Sequence, residues 1–153
     1  MTIELGKITS DKEAFLFMQK HLMTQGTDSR DNEGECSYRG HDDDGHPTMC
    51  AVGCLIKDEE YNEQLEGQLV NSPDVIQAVK MSNPLWRMGV ECKNMLHFCQ
   101  RVHDFLHPRN WEEAFNLIDL ENDFNHHGYF IRKFQDALWV SKTLEQIRLR
   151  EGY

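Results

Sequence analysis

The sequence predicts a mainly α-helical (α+β) fold: a single domain, residues 1–153, of about five to six helices with one small β-hairpin near residues 36–56. Three observations predict it. Apolar residues recur at three- and four-residue spacing over most of the chain. Capping residues precede these periodic runs. One stretch between them holds two short strand-like runs around a Gly/Asp/Pro-rich tip instead.

The first helix is marked at both ends. Ser10 and Glu13 form a capping-box pair, S-x-x-E, ahead of a periodic apolar run, and Gly26 is typical of the residue that ends a helix. These residues predict a helix over about 11–25. The next residues, 26–35, are polar and rich in turn formers, so they predict a loop.

The predicted hairpin follows this loop. Its strands are the runs 36–39 and 49–52, and its tip is the segment 40–48. After the hairpin, Asp58 is placed to cap a short helix over 59–65. This part of the chain is therefore the only predicted β-structure.

The C-terminal half is predicted to be helical almost throughout. Each of three predicted helices follows a capping residue. They are a helix over 75–81 after Ser72-Pro73, one over 84–106 after Asn83-Pro84, and one from Trp111 to Ile118 after Asn110. A polar turn over 122–128 precedes a last helix that carries Phe130, Ile131, Phe134, Leu138, Leu144 and Ile147. We expect the longest helix, 84–106, to be the centre of the core.

The negative charge is concentrated in one region. The net charge is −10, and residues 31–66 carry eleven acidic side chains against two basic ones, a net charge of −9. Such a region repels nucleic-acid phosphates and attracts cationic protein surfaces. The charge argues against direct nucleic-acid binding and favours a partner protein with a basic surface. A solvated acidic loop that only keeps the protein soluble is the alternative.

Location and redox state follow from other features. No run approaches the roughly 20 apolar residues of a membrane span, and the first residues have neither the basic nor the apolar region of a signal peptide. We therefore expect no membrane partner and a cytoplasmic location. Five cysteines, an odd number, favour reduced thiols over a disulfide framework.

The cysteines and histidines of the central stretch include the residue types that bind zinc. Cys36, His41, His46 and Cys50 supply four ligands, and Cys54 a fifth, but their spacing matches no standard zinc finger. In the alternative interpretation, Cys50 and Cys54 are small core residues, as free cysteines usually are. We expect no cofactor, with zinc as the alternative.

Two further groups are candidates for chemistry. Cys50, His103 and Asp104 are a possible nucleophile, base and orienting carboxylate. The surrounding acids would raise the pKa of the thiol, which argues against that role. His126-His127 is a pair of imidazoles in a polar turn, and an exposed turn pair is the more typical interpretation.

A set of short motifs runs through residues 36–115. It consists of Tyr38-Arg39, Cys50-Ala51-Val52-Gly53, Leu55-Ile56 with Asp58-Glu59-Glu60-Tyr61, Glu66-Gly67, and then Phe98-Cys99-Gln100 with His103-Asp104 and Trp111. This set resembles a pattern of small uncharacterised proteins of tailed bacteriophages, Y-R, C-A-V-G, L-I-x-D-E-x-Y, E-G and a helix downstream. The resemblance implies a phage origin and action in the cytoplasm of the infected bacterium. It implies no particular activity or cofactor, and the acidic tip is longer and more charged than is usual there.

These observations predict a non-enzymatic interaction protein. It would be a phage-encoded acidic protein that binds the basic surface of a host or phage protein and inhibits or redirects that protein. The predicted binding residues are the acidic tip and its neighbours, Asp42, Asp43, Asp44, Tyr38, Arg39, Asp58, Glu59, Glu60 and Tyr61, with Trp86 as a further aromatic anchor. The alternative is a small hydrolase built on cysteine and histidine, or a zinc-dependent enzyme.

Overall fold

The computed structural model describes residues 2–132 and 137–150, which form five α-helices and one two-stranded antiparallel sheet. The helices are α1 (Asp11–Gln25), α2 (Pro73–Ser82), α3 (Cys92–Phe105), α4 (Trp111–Phe115) and α5 (Ala137–Arg150), and the strands are β1 (Arg39–His41) and β2 (Pro47–Met49). Short 3₁₀ helices cover Gly53–Leu55, Asp58–Glu60, Glu63–Leu65 and Pro108–Asn110. The prediction of a mainly helical fold with one small hairpin is confirmed. None of the described helices is both long and apolar enough to cross a membrane.

The helix α3 lies at the centre of the core, where it packs against α1, α4 and α5. Its buried apolar side chains are Cys92, Met95, Leu96, Phe98, Cys99 and Val102. The same cluster of buried side chains includes Val52, Leu55 and Ile56, which follow the hairpin. These three residues therefore belong to the same core as α3.

The helix α1 has the predicted boundaries because its caps form. Ser10 Oγ accepts the N–H of Glu13 at 3.2 Å, and Gly26, with a φ of 71°, donates its N–H to the Leu22 carbonyl at 2.8 Å. Only a glycine adopts such a φ without strain. The Glu13 carboxylate accepts from both the backbone N–H and the hydroxyl of Thr9, at 2.7 and 2.6 Å.

The predicted helix over 84–106 is wrong at its N-terminal end, because helix α3 begins only at Cys92. The residues before it form turns and extended chain, which places the indole N–H of Trp86 2.7 Å from Asp11 Oδ1. Asp11 is fully buried, and its Oδ2 accepts the N–H of Phe130 at 2.8 Å. Burying a carboxylate without hydrogen-bond donors costs more free energy than a few additional helical residues would gain. The contact with Asp11 therefore determines the conformation of the chain before α3.

The hairpin is also displaced from its predicted position. The strands pair Arg39 with Met49 and His41 with Pro47, so each keeps one residue of a predicted strand and has its other two residues in the segment that the sequence assigns to the tip. The tip itself is only the five residues Asp42–His46. The strands lie closer to the tip than predicted because the tip closes on itself through side-chain bonds, described below.

Other predicted helices are shorter than expected. The helix over 59–65 is two 3₁₀ turns, and Asn62 rather than Asp58 caps the second of them. The helix α4 ends at Phe115 instead of Ile118, and Asn110 makes no side-chain cap bond. The last helix begins at Ala137, so it excludes two of the predicted residues: Phe130, which forms a bridge with Phe124, and Ile131. Of the other residues predicted there, Leu144 and Ile147 are buried, while Phe134 lies outside the described residues.

We expect Leu96→Ala to lower the free energy of unfolding by roughly 2–5 kcal/mol, because it leaves a cavity in the packed face of α3. Leu85→Ala should change it by less than about 0.5 kcal/mol, since Leu85 is 60% exposed in the turn that the sequence assigns to the same helix. Urea unfolding of both variants checks this. Equal losses in the two variants would contradict the placement of the core.

Candidate functional site

Residues of three of the short sequence motifs meet at the carboxylate of Glu66. Its Oε1 accepts the N–H of Tyr38 at 2.8 Å, and its Oε2 accepts the N–H of Arg39 at 3.1 Å and the hydroxyl of Tyr61 at 2.6 Å. The hydroxyl of Tyr38 donates to the carbonyl of Gln68 at 2.6 Å. These bonds attach the beginning of β1 to the segment that follows the hairpin.

The side chain of Arg39 completes this junction. Its guanidinium donates to Asp58 Oδ1 at 2.7 Å and to the Ile56 carbonyl at 2.5 Å, and it lies 5.1 Å from the centre of the Tyr61 ring. Gly53 is required nearby, since a Cβ there would lie 2.3 Å from the carbonyl oxygen of Tyr38. These residues therefore build a structural junction, and both terminal nitrogens of Arg39, which is predicted to bind a partner, donate within the chain, while its Nε has no hydrogen-bond partner among the described residues.

Two predicted aromatic anchors are buried. Tyr38 is only 5% exposed and Trp86 only 4% exposed. Neither ring presents an area large enough to fill a pocket on a partner, so their prediction as surface anchors is wrong. Glu59 is exposed, Glu60 and Tyr61 are half-buried, and these remain predicted binding residues.

Three five-residue turns share one construction, and they are Asp31–Glu35, Asp42–His46 and Asn125–Tyr129. In each, Oδ1 of the first residue accepts the N–H groups of the third and fifth at 2.8–3.0 Å. The first and fifth residues also pair through the backbone, and the fourth is a glycine with a φ of 81° or 82°. The pattern D/N-x-x-G-x encodes this turn, because the Asx side chain and the glycine each have a required position. The loop predictions for these residues do not include this turn construction.

The two turns that begin with aspartate lie side by side. Arg30, next to the first turn, forms bridges with both Cys36 and His41, and the N–H of His41 donates to the Arg30 carbonyl at 3.1 Å. The His41 ring also lies 2.5 Å from the side-chain oxygen of Asn32. We call residues 31–35 and 42–46 the acidic turn pair, and its acids are Asp31, Glu33, Glu35, Asp42, Asp43 and Asp44.

These six carboxylates have two different roles. Asp31 and Asp42 hold their turns, and the bond from the backbone N–H of His46 is the main cause that lowers the pKa of Asp42. The other four, Glu33, Glu35, Asp43 and Asp44, are exposed and make no side-chain hydrogen bond or ion pair with any residue of the described chain. The free negative charge of this surface is therefore carried by four side chains at two fixed positions.

The predicted zinc ligands do not form a single site. Cys50 is buried, and its Sγ accepts the N–H of Gly53 at 3.3 Å, whereas His41 contacts Asn32 and His46 contacts Asp42. Within the described residues, the groups whose ligand atoms lie close together are Cys36 with His103 and Asp104, and Asp42 with Asp44 and His46. The four candidate zinc ligands suggested by the sequence therefore do not lie together in the fold.

Both ring nitrogens of His103 are occupied. Its Nε2 accepts the N–H of Ser29 at 2.8 Å, so the proton of the neutral ring is on Nδ1, which donates to Asp104 Oδ1 at 2.7 Å. A metal on Nδ1 would require the proton on Nε2, opposite the N–H of Ser29. His103 thus has no lone pair available for a metal ion or for the proton of a thiol.

The predicted nucleophile does not have the properties of one. Burial raises the pKa of Cys50 to about 12, and burial together with the charge of Asp104 raises the pKa of Cys36 to about 11. Both thiols are therefore protonated near neutral pH, whereas the thiolate is the nucleophile. The geometry gives no support to a hydrolase based on Cys50, His103 and Asp104, or to a zinc-dependent enzyme at Cys36, His41, His46 and Cys50.

A cleft of about 310 Å³ lies between α3 and residues 66–71. Its lining includes Cys36, Tyr38, Leu69, Val70, Gln100 and Asp104. We call it the α3 cleft. It adjoins the acidic turn pair, since Cys36 directly follows Glu35, and sequence analysis does not predict it.

A scan of protein-family models, a search of curated proteins and a search of solved structures each found no match to this chain.

The role of Asp42 can be tested against its neighbour. We expect Asp42→Ala to lower the melting temperature, because two backbone N–H groups lose their acceptor, and Asp43→Ala to leave it unchanged or slightly higher. Asp42→Asn should be close to wild type at neutral pH, since Asn125 fills the same position in the third turn. Thermal melts followed by circular dichroism compare the variants.

The lowered pKa of Asp42 sets the pH dependence. Its charge stabilises the folded state above about pH 4, the usual pKa of an aspartate, and this contribution is lost as the pH falls through the lower folded-state pKa. The small difference in melting temperature between wild type and Asp42→Asn should therefore disappear in acid. Equal destabilisation by Asp42→Ala and Asp43→Ala would show that the side chain does not hold the turn.

The hydrogen bonds of His103 predict its tautomer and its behaviour toward metals. We expect long-range proton–nitrogen correlation spectra to show the proton on Nδ1, with exposed His126 as the internal reference. Dialysis against a chelator should leave the melting temperature unchanged, and one equivalent of zinc should not raise it. A tightly held equivalent of zinc, or a proton on Nε2, would contradict the assignment.

Proposed function

We propose that this chain is a phage-encoded, non-enzymatic interaction protein of the infected bacterium's cytoplasm. It binds a host or phage protein through that protein's basic surface and so inhibits or redirects it. The observation that carries the proposal is the acidic turn pair, which presents four free carboxylates, Glu33, Glu35, Asp43 and Asp44, on two adjacent turns. The phage origin and the location rest on the resemblance of the motifs.

The turn construction explains why this surface suits binding. Like charges held near one another repel, and a cationic partner relieves that repulsion. Because Asp31 and Asp42 fix the backbone of each turn, the free carboxylates are displayed without a large loss of backbone entropy on binding. A concentrated charge also accelerates the encounter with a partner of opposite sign.

A second group of acids extends the negative surface along β1. Arg39 at the beginning of β1 pairs with Asp58, whose side chain is 92% exposed, and Glu59 follows it. Asp42 and its turn lie at the other end of the same strand. The surface offered to a basic partner therefore includes both ends of β1, with the greater free charge at the turns.

Neutralising the turns tests the proposal. Asp43→Asn/Asp44→Asn should lower the association rate constant with a partner captured from infected-cell lysate by several-fold at low salt and should flatten its salt dependence. The physical reason is that steering acts over a Debye length of about 8–10 Å at physiological ionic strength. Surface plasmon resonance at several salt concentrations measures both quantities.

A charge-matched control separates position from net charge. Glu112→Gln/Glu121→Gln removes two exposed carboxylates elsewhere and should leave the association rate nearly unchanged. If both double variants associate at the wild-type rate with the wild-type salt slope, the acidic turn pair is only a solvated surface.

A further inference from the structure

The α3 cleft presents a preorganised carboxylate to solvent. Asp104 Oδ1 accepts from Gln100 Nε2 at 2.8 Å and from His103 Nδ1 at 2.7 Å, and the side chain is still 35% exposed. Gln100 is fixed in turn, because its Oε1 accepts the N–H of Val52 at 3.1 Å. A carboxylate held in this way loses little side-chain entropy when it receives a cation.

Apart from Arg101, the other ionisable groups that line the cleft are neutral or already bonded. The thiols of Cys36 and Cys50 are protonated, and Glu66 accepts three hydrogen bonds. Burial and the nearby Arg101 lower the pKa of His97, so its ring is uncharged at neutral pH. Arg101 holds its guanidinium over the Phe105 ring, 4.7 Å from the centroid, and its buried Nε has no hydrogen-bond partner among the described residues. Asp104 is therefore the group in the lining that can pair with an incoming cation.

The walls of the cleft suit a long aliphatic stem. Leu69, which is 74% exposed, contributes most of the apolar surface, and Val70, which is 5% exposed, lies beside it in the lining. Lysine and arginine carry a cation on three or four methylene groups, which bury well against such surface. A volume of about 310 Å³ is at the small end of ligand sites, so it accommodates one side chain and not a large cofactor.

We propose that the α3 cleft receives one lysine or arginine side chain of the partner protein, with the stem against Leu69 and Val70 and the cationic head at Asp104. This inference rests on the proposed function, because the partner is the one whose basic surface meets the acidic turn pair. Cys36, in the lining of the cleft, directly follows Glu35 of the first acidic turn, so the cleft lies next to that turn. The turns attract the partner and the cleft anchors it.

Short peptides test the cleft without a known partner. The probes are acetyl-Gly-Ser-X-Ser-Gly-amide with X as arginine, lysine or citrulline, the last being a neutral analogue of arginine. We expect arginine or lysine peptide to cause saturable shifts of the backbone amides of Cys36, Gln100 and Asp104 in nitrogen–proton correlation spectra, and citrulline peptide to cause none. Equal shifts from citrulline, or no saturable shift at these amides, would overturn the inference.

Matched variants assign the binding to Asp104. Asp104→Asn keeps an oxygen to accept from Gln100 and His103, so the fold is retained, and it should weaken peptide binding by about fivefold. Glu121→Gln removes the same charge at an exposed position outside the cleft and the acidic turn pair, and it should leave the dissociation constant unchanged. An unchanged constant in Asp104→Asn would also overturn the inference, and the spectrum of each variant reports whether it is folded.

The two proposals fail in different ways. If the cationic peptides shift only amides of residues 31–46, the cleft is not an anchor and the proposed function stands. If they bind in the cleft but Asp43→Asn/Asp44→Asn leaves association with the captured partner unchanged, the cleft is a cation site and the steering role of the turns is wrong.

Discussion

The buried carboxylate of Asp11 holds together three parts of the chain that are distant in sequence. It accepts from the Trp86 indole and the Phe130 backbone, and the Cys92 thiol and the Gly89 backbone are further donors. Burial raises its pKa while these donors lower it, so the charged form is compatible with the core only when the donors are in place. One group therefore positions the first turn of α1, the beginning of α3 and the chain after the third Asx turn. The α3 cleft depends on this contact, because α3 supplies its carboxylate.

The cap signals show which parts of the fold the sequence could predict. Ser10 and Ser72 cap α1 and α2 because their side chains bond the nearest backbone N–H groups, a contact decided within four residues. Asn83-Pro84 carries the same signal but opens no helix. The side chain of Asn83 donates to the Leu55 carbonyl at 2.9 Å and accepts the N–H of Gly6 at 3.2 Å, so distant partners occupy it. Local patterns predict local contacts, and they fail where a tertiary contact takes the same atoms.

The candidate site also has parts that local sequence patterns could predict and parts that they could not. The D/N-x-x-G-x pattern is local and repeats three times, so the turns were predictable, and the concentration of acids around them already indicated the surface. The bond of His103 to Ser29 joins residues 74 positions apart, and the bonds of Glu66 to β1 span 27 and 28 positions. No periodicity or spacing encodes such pairings. For that reason the residue types in the sequence suggested a group of Cys50 with His103, whereas in the fold Cys36 lies beside His103.

The roles of the acids explain why net charge alone is a poor guide to this protein. Among the eleven acids between residues 31 and 66, Asp31 and Asp42 hold turns, while Asp58 and Glu66 hold the junction around Arg39. Exposed carboxylates act at long range and are screened by salt, so their effect falls mainly on the rate of association. A carboxylate fixed at the wall of a cleft acts at contact and is screened less, so its effect falls mainly on the rate of dissociation. In the proposed mode of binding, the acidic turn pair and Asp104 thus govern different steps, and a partner with scattered positive charge but no projecting lysine or arginine would be attracted without being retained.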